Sequence, residues 1–152
     1  MNTVIAQTVI RQATPEDLVQ CVSMILELRQ ETFWKNMPEQ ADPMAMLVCI
    51  LYRLTTQSNF CLYVAEQDSA LVGLCGGELV SHFLAPSVLI LTEWAWWVVP
   101  DHRQGTVGAR LWLSVCEWAR QQDVKYASRN RVLSRDKIGK ALGTESFTVT
   151  TL

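Results

Sequence analysis

Apolar and polar positions alternate with two different periods along this chain of 152 residues. Leu18, Val22, Ile25, Leu26 and Leu28 recur every three or four positions, which is the repeat of one helix face. The pattern predicts a first helix over 15–33. Thr14 stands as its cap, Pro15 at its first position, and Glu16 and Asp17 near the positive end of its dipole. Residues 44–56 form a second helical pattern, apolar around most of its circumference, and the expectation is a well-buried helix. A short strand over 8–13 precedes both.

From Phe60 the period changes. The runs 60–66, 70–84 and 88–99 are rich in strand formers. Gln67-Asp68-Ser69 and Ala85-Pro86-Ser87 separate them as turns, so an antiparallel meander is expected. Gly73, Gly76 and Gly77 inside the second run predict a bulge or bend. The helical period returns over 106–122, with Leu111, Val115, Trp118 and Ala119 on one face and Trp112 and Cys116 beside it. A strand over 125–133, reached through that helix, should lie parallel to 88–99. A short helix over 134–142 with Gly143 as its C-cap and a last strand over 145–152 complete the pattern. No repeat or low-complexity tract interrupts it, so residues 1–152 are read as one domain.

Composition narrows the class. With 49% hydrophobic and 18% charged residues the chain is an ordinary globular one rather than a disordered one. The longest apolar runs, 44–54 and 88–100, are interrupted by Arg53 and Glu93 and fall short of the roughly 18–20 residues that span a bilayer. The first residues lack the basic start and apolar stretch of a signal peptide. The expectation is a cytoplasmic protein without a membrane partner. Cys21, Cys49, Cys61, Cys75 and Cys116 are odd in number and contain no C-x-x-C pair. That argues against a disulfide framework and a zinc site, and no metal is expected. Residues 1–100 hold four basic and ten acidic groups, whereas 101–152 hold nine and five. The basic C-terminal part suits a phosphorylated ligand or a solvated face, and the acidic overall balance argues against nucleic-acid binding.

The chemistry concentrates after the strand 88–99. Pro100-Asp101-His102-Arg103-Gln104-Gly105-Thr106-Val107-Gly108 leads directly into a helix. A loop that presents free N–H groups at a helix N-terminus is an anion cradle, and its glycines let backbone approach phosphate closely. The same pattern also suits a plain strand-to-helix turn.

The segment from Val98 to Leu111 resembles the acyl-CoA loop of the GNAT (Gcn5-related) N-acetyltransferases, written Q/R-x-x-G-x-G/A after a strand ending in V-x-P. Arg103 matches the first position and Gly108 the last, while Thr106 replaces the middle glycine and Gly105 comes one place early. Val9 to Leu18 is similar to the family's opening strand and helix, and Lys140-Ala141-Leu142-Gly143 to its closing element. The resemblance implies an α/β (α+β) fold: a mixed, mostly antiparallel sheet of six to seven strands, flanked by helices, with a splay between the two central strands. It implies acetyl-CoA as donor and a small-molecule or protein amine as acceptor. It assigns the pyrophosphate to the N–H groups of Arg103, Gln104, Gly105, Thr106, Val107 and Gly108, with Ala109 beside them. It assigns the pantetheine arm to the backbone of Trp97, Val98 and Val99. Family members often form dimers, so a homodimer is open. With Thr106 in place of glycine, either Gly105 takes over the positive φ or the cofactor binds more weakly.

Aminolysis of a thioester needs a neutral amine and therefore a base. Glu93, interrupting an apolar strand beside Trp94, Trp96 and Trp97, is the choice, with Glu78 and His82 as further candidates. His102 is assigned to phosphate or solvent. Strand alternation expects Trp94 and Trp96 on one face and Trp97 on the other. Glu27 and Glu31 on the first helix are candidates to meet a cationic amine, with a solvated face as the plainer reading. The family's proton-donating tyrosine position is Gly139 here, and Tyr126 and Ser134 are the nearby hydroxyls. Those departures leave a second reading open: a weakly active or inactive module of the same fold that serves in binding or structure.

Overall fold

A computed structural model describes residues 7–131 and 146–152. The predicted helix over 134–142, Gly143, Ser134 and Gly139 lie outside the described residues.

Six strands form one sheet in sequence order, β1 (Val9–Gln12), β2 (Phe60–Gln67), β3 (Ala70–His82), β4 (Ala85–Val98), β5 (Tyr126–Arg131) and β6 (Ser146–Thr151). Every neighbouring pair is antiparallel except β4 and β5, which are parallel because helix α3 (Val107–Arg120) carries the chain across. The meander and the crossover therefore agree with the hydrophobic pattern.

Two apolar layers cover the sheet. On one face α3 sets Leu111, Val115 and Ala119 against Cys61, Cys75 and Leu91. On the other, α1 (Leu18–Glu31) and α2 (Pro43–Thr56) set Leu18, Val22 and Ile50 against Leu62, Leu74 and Trp97. Gly77 permits the first layer. A Cβ there would lie 2.7 Å from both Leu91 Cδ1 and Val115 Cγ1, so only glycine lets α3 come this close. Before α1, Arg11 forks onto Asp17 at 2.7 and 2.9 Å and also reaches Glu66 at 2.9 Å, tying β1 to the helix start and to β2. The Arg11 guanidinium holds the Asp17 carboxyl down at about 2.

Four expectations need correction. The helix predicted over 15–33 is a 3-10 turn (Pro15–Asp17), then α1, then a second 3-10 turn (Phe33–Asn36). The turn expected at Ala85-Pro86-Ser87 is the start of β4, and Phe83-Leu84 make the turn instead; Thr14, by contrast, stands at the N-cap as expected, its N–H donating to the Asp17 carboxylate at 2.8 Å. Helix α2 is not well buried: Met44, Val48 and Tyr52 are 68%, 57% and 60% exposed and only Ile50 is fully enclosed. Its packing uses one side, against α1 and β2, and the opposite i, i+4, i+8 stripe faces outward although it is apolar. The tryptophans are also arranged differently. Gly76 pairs with Ala95 and Gly77 with Glu93, so Trp94 is an extra residue in β4. This bulge resets the alternation. Trp94 packs edge-on against Phe60 on the α1/α2 face, as Trp97 does nearby, while Trp96 packs toward α3.

Candidate functional site

The site begins where β4 and β5 part. Their ladder consists of Ile90 with Tyr126, Leu91 with Ala127 and Thr92 with Ser128, and it ends there. β5 continues to Arg131 along β6, and β4 continues to Val98 along β3. Past Thr92 and Ser128 the β4–β5 ladder does not continue among the described residues. At about 3.3 Å per residue the stretch of β4 from there to Val98 runs on the order of 20 Å. This is the splay expected from the resemblance.

A cavity of about 440 Å³ opens along that edge. It is lined from one sheet face by Trp97 and from the other by Trp96, which a continuous ladder would prevent. Its far wall is the loop after β4. Pro100–His102 make a 3-10 turn in which His102 N–H and Arg103 N–H donate back to Val99 and Pro100. The first bond of α3 runs from Arg110 N–H to the Thr106 carbonyl. The N–H groups of Gln104 through Ala109 therefore precede the helical ladder, at the positive end of the α3 dipole. Nothing lies within 4 Å of where a Gly105 Cβ would stand, so the loop surface there is open.

The expected positive φ does not occur. Thr106 has φ −93, and Gly105 is not left-handed either. The loop turns through the 3-10 segment instead, so a side chain at 106 causes no strain.

Of the residues named from sequence, Trp97, Val98, Arg103, Gly105, Gly108 and Ala109 come together around the cavity. Val107 turns its side chain into the core, and Gln104 and Thr106 are exposed, so these three offer backbone only. Val99 spends its N–H on the Val72 carbonyl. Glu93 is half-buried and is the first β4 residue past the fork, with Oε2 enclosed. Glu78 is neutralised by Arg53 at 2.9 Å. His82 is the last residue of β3, and its Nδ1 accepts from Leu84 N–H of the following turn at 3.3 Å. His102 does not line the cavity. Tyr126 is 42% exposed and lies below the fork, in the paired region.

Sequence reasoning missed Leu28 and Thr32, which line the cavity from α1 together with Glu31. Their three- and four-residue spacing puts all three on one helix face, a signal present in the sequence but without direction until α1 is docked. Trp97 is 4% exposed, and its indole N–H has no acceptor among the described residues. An unpaired buried donor beside a cavity favours a ligand that carries an oxygen to it. Among the described residues no group of three His, Cys, Asp or Glu side chains is placed to hold a metal. No described helix is long and apolar enough to cross a membrane.

A family model described as "Acetyltransferase (GNAT) family" matches residues 23–132. Among solved structures, the fold is similar to a predicted acetyltransferase from Clostridium acetobutylicum, solved with acetyl-CoA. Identity is 12%, coverage 92% of this chain and 91% of that one, and the TM-score 0.71. It is similar as well to the aminoglycoside N-acetyltransferase AAC(6')-Iy in complex with CoA, at 18% identity, 97% and 94% coverage and a TM-score of 0.71. A third is an aminoglycoside acetyltransferase from an uncultured soil metagenomic sample, in complex with sisomicin. It has 16% identity, 90% and 83% coverage and a TM-score of 0.62. No curated protein matches the sequence.

Proposed function

The chain belongs to the acetyltransferase (GNAT) family, and from that premise we propose that it is a single-domain acyl-CoA-dependent N-acyltransferase moving acetyl from acetyl-CoA to a primary amine. The observation that carries the reading is the fork after Thr92 and Ser128, which opens into a cavity ending at a loop of free N–H groups. An extended chain fits between the diverging strands, and a pyrophosphate fits the loop.

The site residues suit the donor. The N–H groups of Gln104, Gly105, Thr106, Val107, Gly108 and Ala109 are assigned to the pyrophosphate; that of Arg103, expected among them, is spent on the Pro100 carbonyl. The Trp97, Val98 and Val99 stretch is assigned to the pantetheine arm. The Trp97 indole N–H offers an amide or acyl oxygen the donor it lacks elsewhere. When bound, acetyl-CoA supplies a thioester carbon: an N–C bond forms to the amine, the C–S bond breaks, and one proton passes from the amine to the departing thiolate. Glu93 is assigned the first half of that proton transfer. Its support is position, since it stands at the mouth of the fork where the two strands separate. The acidic balance of the first hundred residues favours a cationic acceptor, as small-molecule amines of the kind bound by the aminoglycoside enzymes are.

The test is turnover of acetyl-CoA with a panel of primary amines, for the wild type and for Glu93→Gln. The proposal expects transfer to at least one amine and a loss of roughly 10²–10⁴ in kcat for the variant. Absence of transfer to every amine overturns the activity, and undiminished kcat in the variant overturns the role of Glu93.

A further inference from the structure

Arg103 is held from three sides. Its Nε donates to the Val98 carbonyl at 2.7 Å, its Nη2 meets both oxygens of Glu31 at 2.9 and 2.8 Å, and its guanidinium carbon lies 5.5 Å from the centre of the Trp97 ring. Glu31 is the last residue of α1, and Arg103 follows the 3-10 turn that leads toward α3. The ion pair therefore ties the end of α1 to the loop across the mouth of the cavity.

Among the described residues lining that cavity, these two carry the only charged side chains. The nearby Arg110 is turned to the Thr8 carbonyl at 3.0 Å. The cavity thus presents one cation and one anion, and its net side-chain charge is zero. A phosphate group reaching the free N–H groups would find Arg103 already neutralised and a carboxylate beside it.

We propose that Glu31 is a positioning residue that sets donor affinity: it neutralises Arg103 in the free protein and gives up the guanidinium when a pyrophosphate occupies the loop. The inference rests on the acyl-CoA reading above. Replacing Glu31 with Gln keeps the shape and one acceptor oxygen, while Val98 and Trp97 still hold Arg103 over the cavity. Removing one negative charge beside the loop that receives a doubly charged pyrophosphate tightens binding roughly five- to tenfold, taking a separation of about 6 Å and a dielectric near that of water. The gain belongs to the phosphates and not to the pantetheine arm.

The test titrates CoA and phosphate-free pantetheine calorimetrically into wild type, Glu31→Gln and Glu31→Ala, at about 20 mM and about 200 mM salt. Ligand-free thermal unfolding accompanies each titration. The expected result is five- to tenfold tighter CoA binding in Glu31→Gln, a smaller gain at the higher salt, unchanged pantetheine binding, and the same direction in Glu31→Ala. Unchanged or weaker CoA binding in a folded variant overturns the inference, and so does an equal gain for pantetheine, which would mean steric relief. If the wild type binds CoA and the variants gain nothing, the inference alone falls. If none of the proteins binds CoA, the acyl-CoA reading falls and takes this inference with it.

Discussion

Replacing Gly108 with alanine should raise the stability of the protein and leave its affinity for CoA nearly unchanged. The fold itself does not require glycine there. A Cβ at 108 would lie 3.5 Å from Trp96 Cζ2 and 3.6 Å from both Trp96 Nε1 and Val98 Cγ2, which are ordinary contacts, and the backbone is not left-handed. Gly108 is the second residue of α3, where alanine loses less backbone entropy on folding than glycine. The gain is about 0.5 kcal/mol, or on the order of 1–2 °C in Tm for a chain of this length. The same methyl would stand in the cavity wall beside the first turn of α3. The motif that Gly108 matches ends in glycine or alanine, so the phosphate keeps its N–H donors and Kd should change by less than about threefold, under about 0.7 kcal/mol. Thermal unfolding without ligand and a calorimetric CoA titration measure the two quantities on one sample. A variant that melts lower would mean that the fold needs the glycine, and CoA binding weakened about tenfold or more would mean that the donor passes closer to position 108 than the motif allows.

Three further outcomes follow from the same geometry. Gly77→Ala should destabilise by about 1–3 kcal/mol, because its methyl would overlap Leu91 and Val115, and a denaturant midpoint at the wild-type value would contradict that packing. A thiol reagent on the native protein should label Cys49, the exposed cysteine. Cys21 and Cys61, whose thiols burial pushes up to about 12, should react only on unfolding, and rapid native labelling at either refutes the burial. Asp17 titrates at about 2 in the folded chain against an ordinary 3.8, so its contribution is present above about pH 4 and is lost as pH falls toward 2. Asp17→Asn should therefore cost about 2 kcal/mol in urea unfolding at pH 6, with the gap to wild type closing below about pH 4; a gap independent of pH would contradict the Arg11 pairing.

Much of this arrangement was legible in the chain, for reasons that differ by element. Helix α3 and the strands around it carry strong periods, and burial on one side enforces them, so their positions agree with the pattern to within a few residues. The crossover made β4 and β5 parallel by handedness and length alone. The bulge at Trp94 was not legible. Gly76 and Gly77 announced an irregularity in β3, but which residue of the partner strand is doubled depends on register, and that moved Trp94 to the face opposite Trp96. The exposure of α2 was hidden as well. An apolar circumference says what a helix could bury, and only the docking on α1 and β2 decides that the Met44, Val48 and Tyr52 stripe stays outside. In the site, Arg103 and Gly108 were visible as a motif. The Glu31 contact joins residues 72 positions apart, and no local pattern encodes it.

The donor site is tested most directly by titrating the wild-type protein with acetyl-CoA in a calorimeter. The account predicts saturable single-site binding with a Kd of roughly 1 μM–1 mM, abolished in Gly108→Trp, whose indole would fill the cavity beneath the loop. A wild-type protein that stays folded and takes up no acetyl-CoA at millimolar concentration would contradict it.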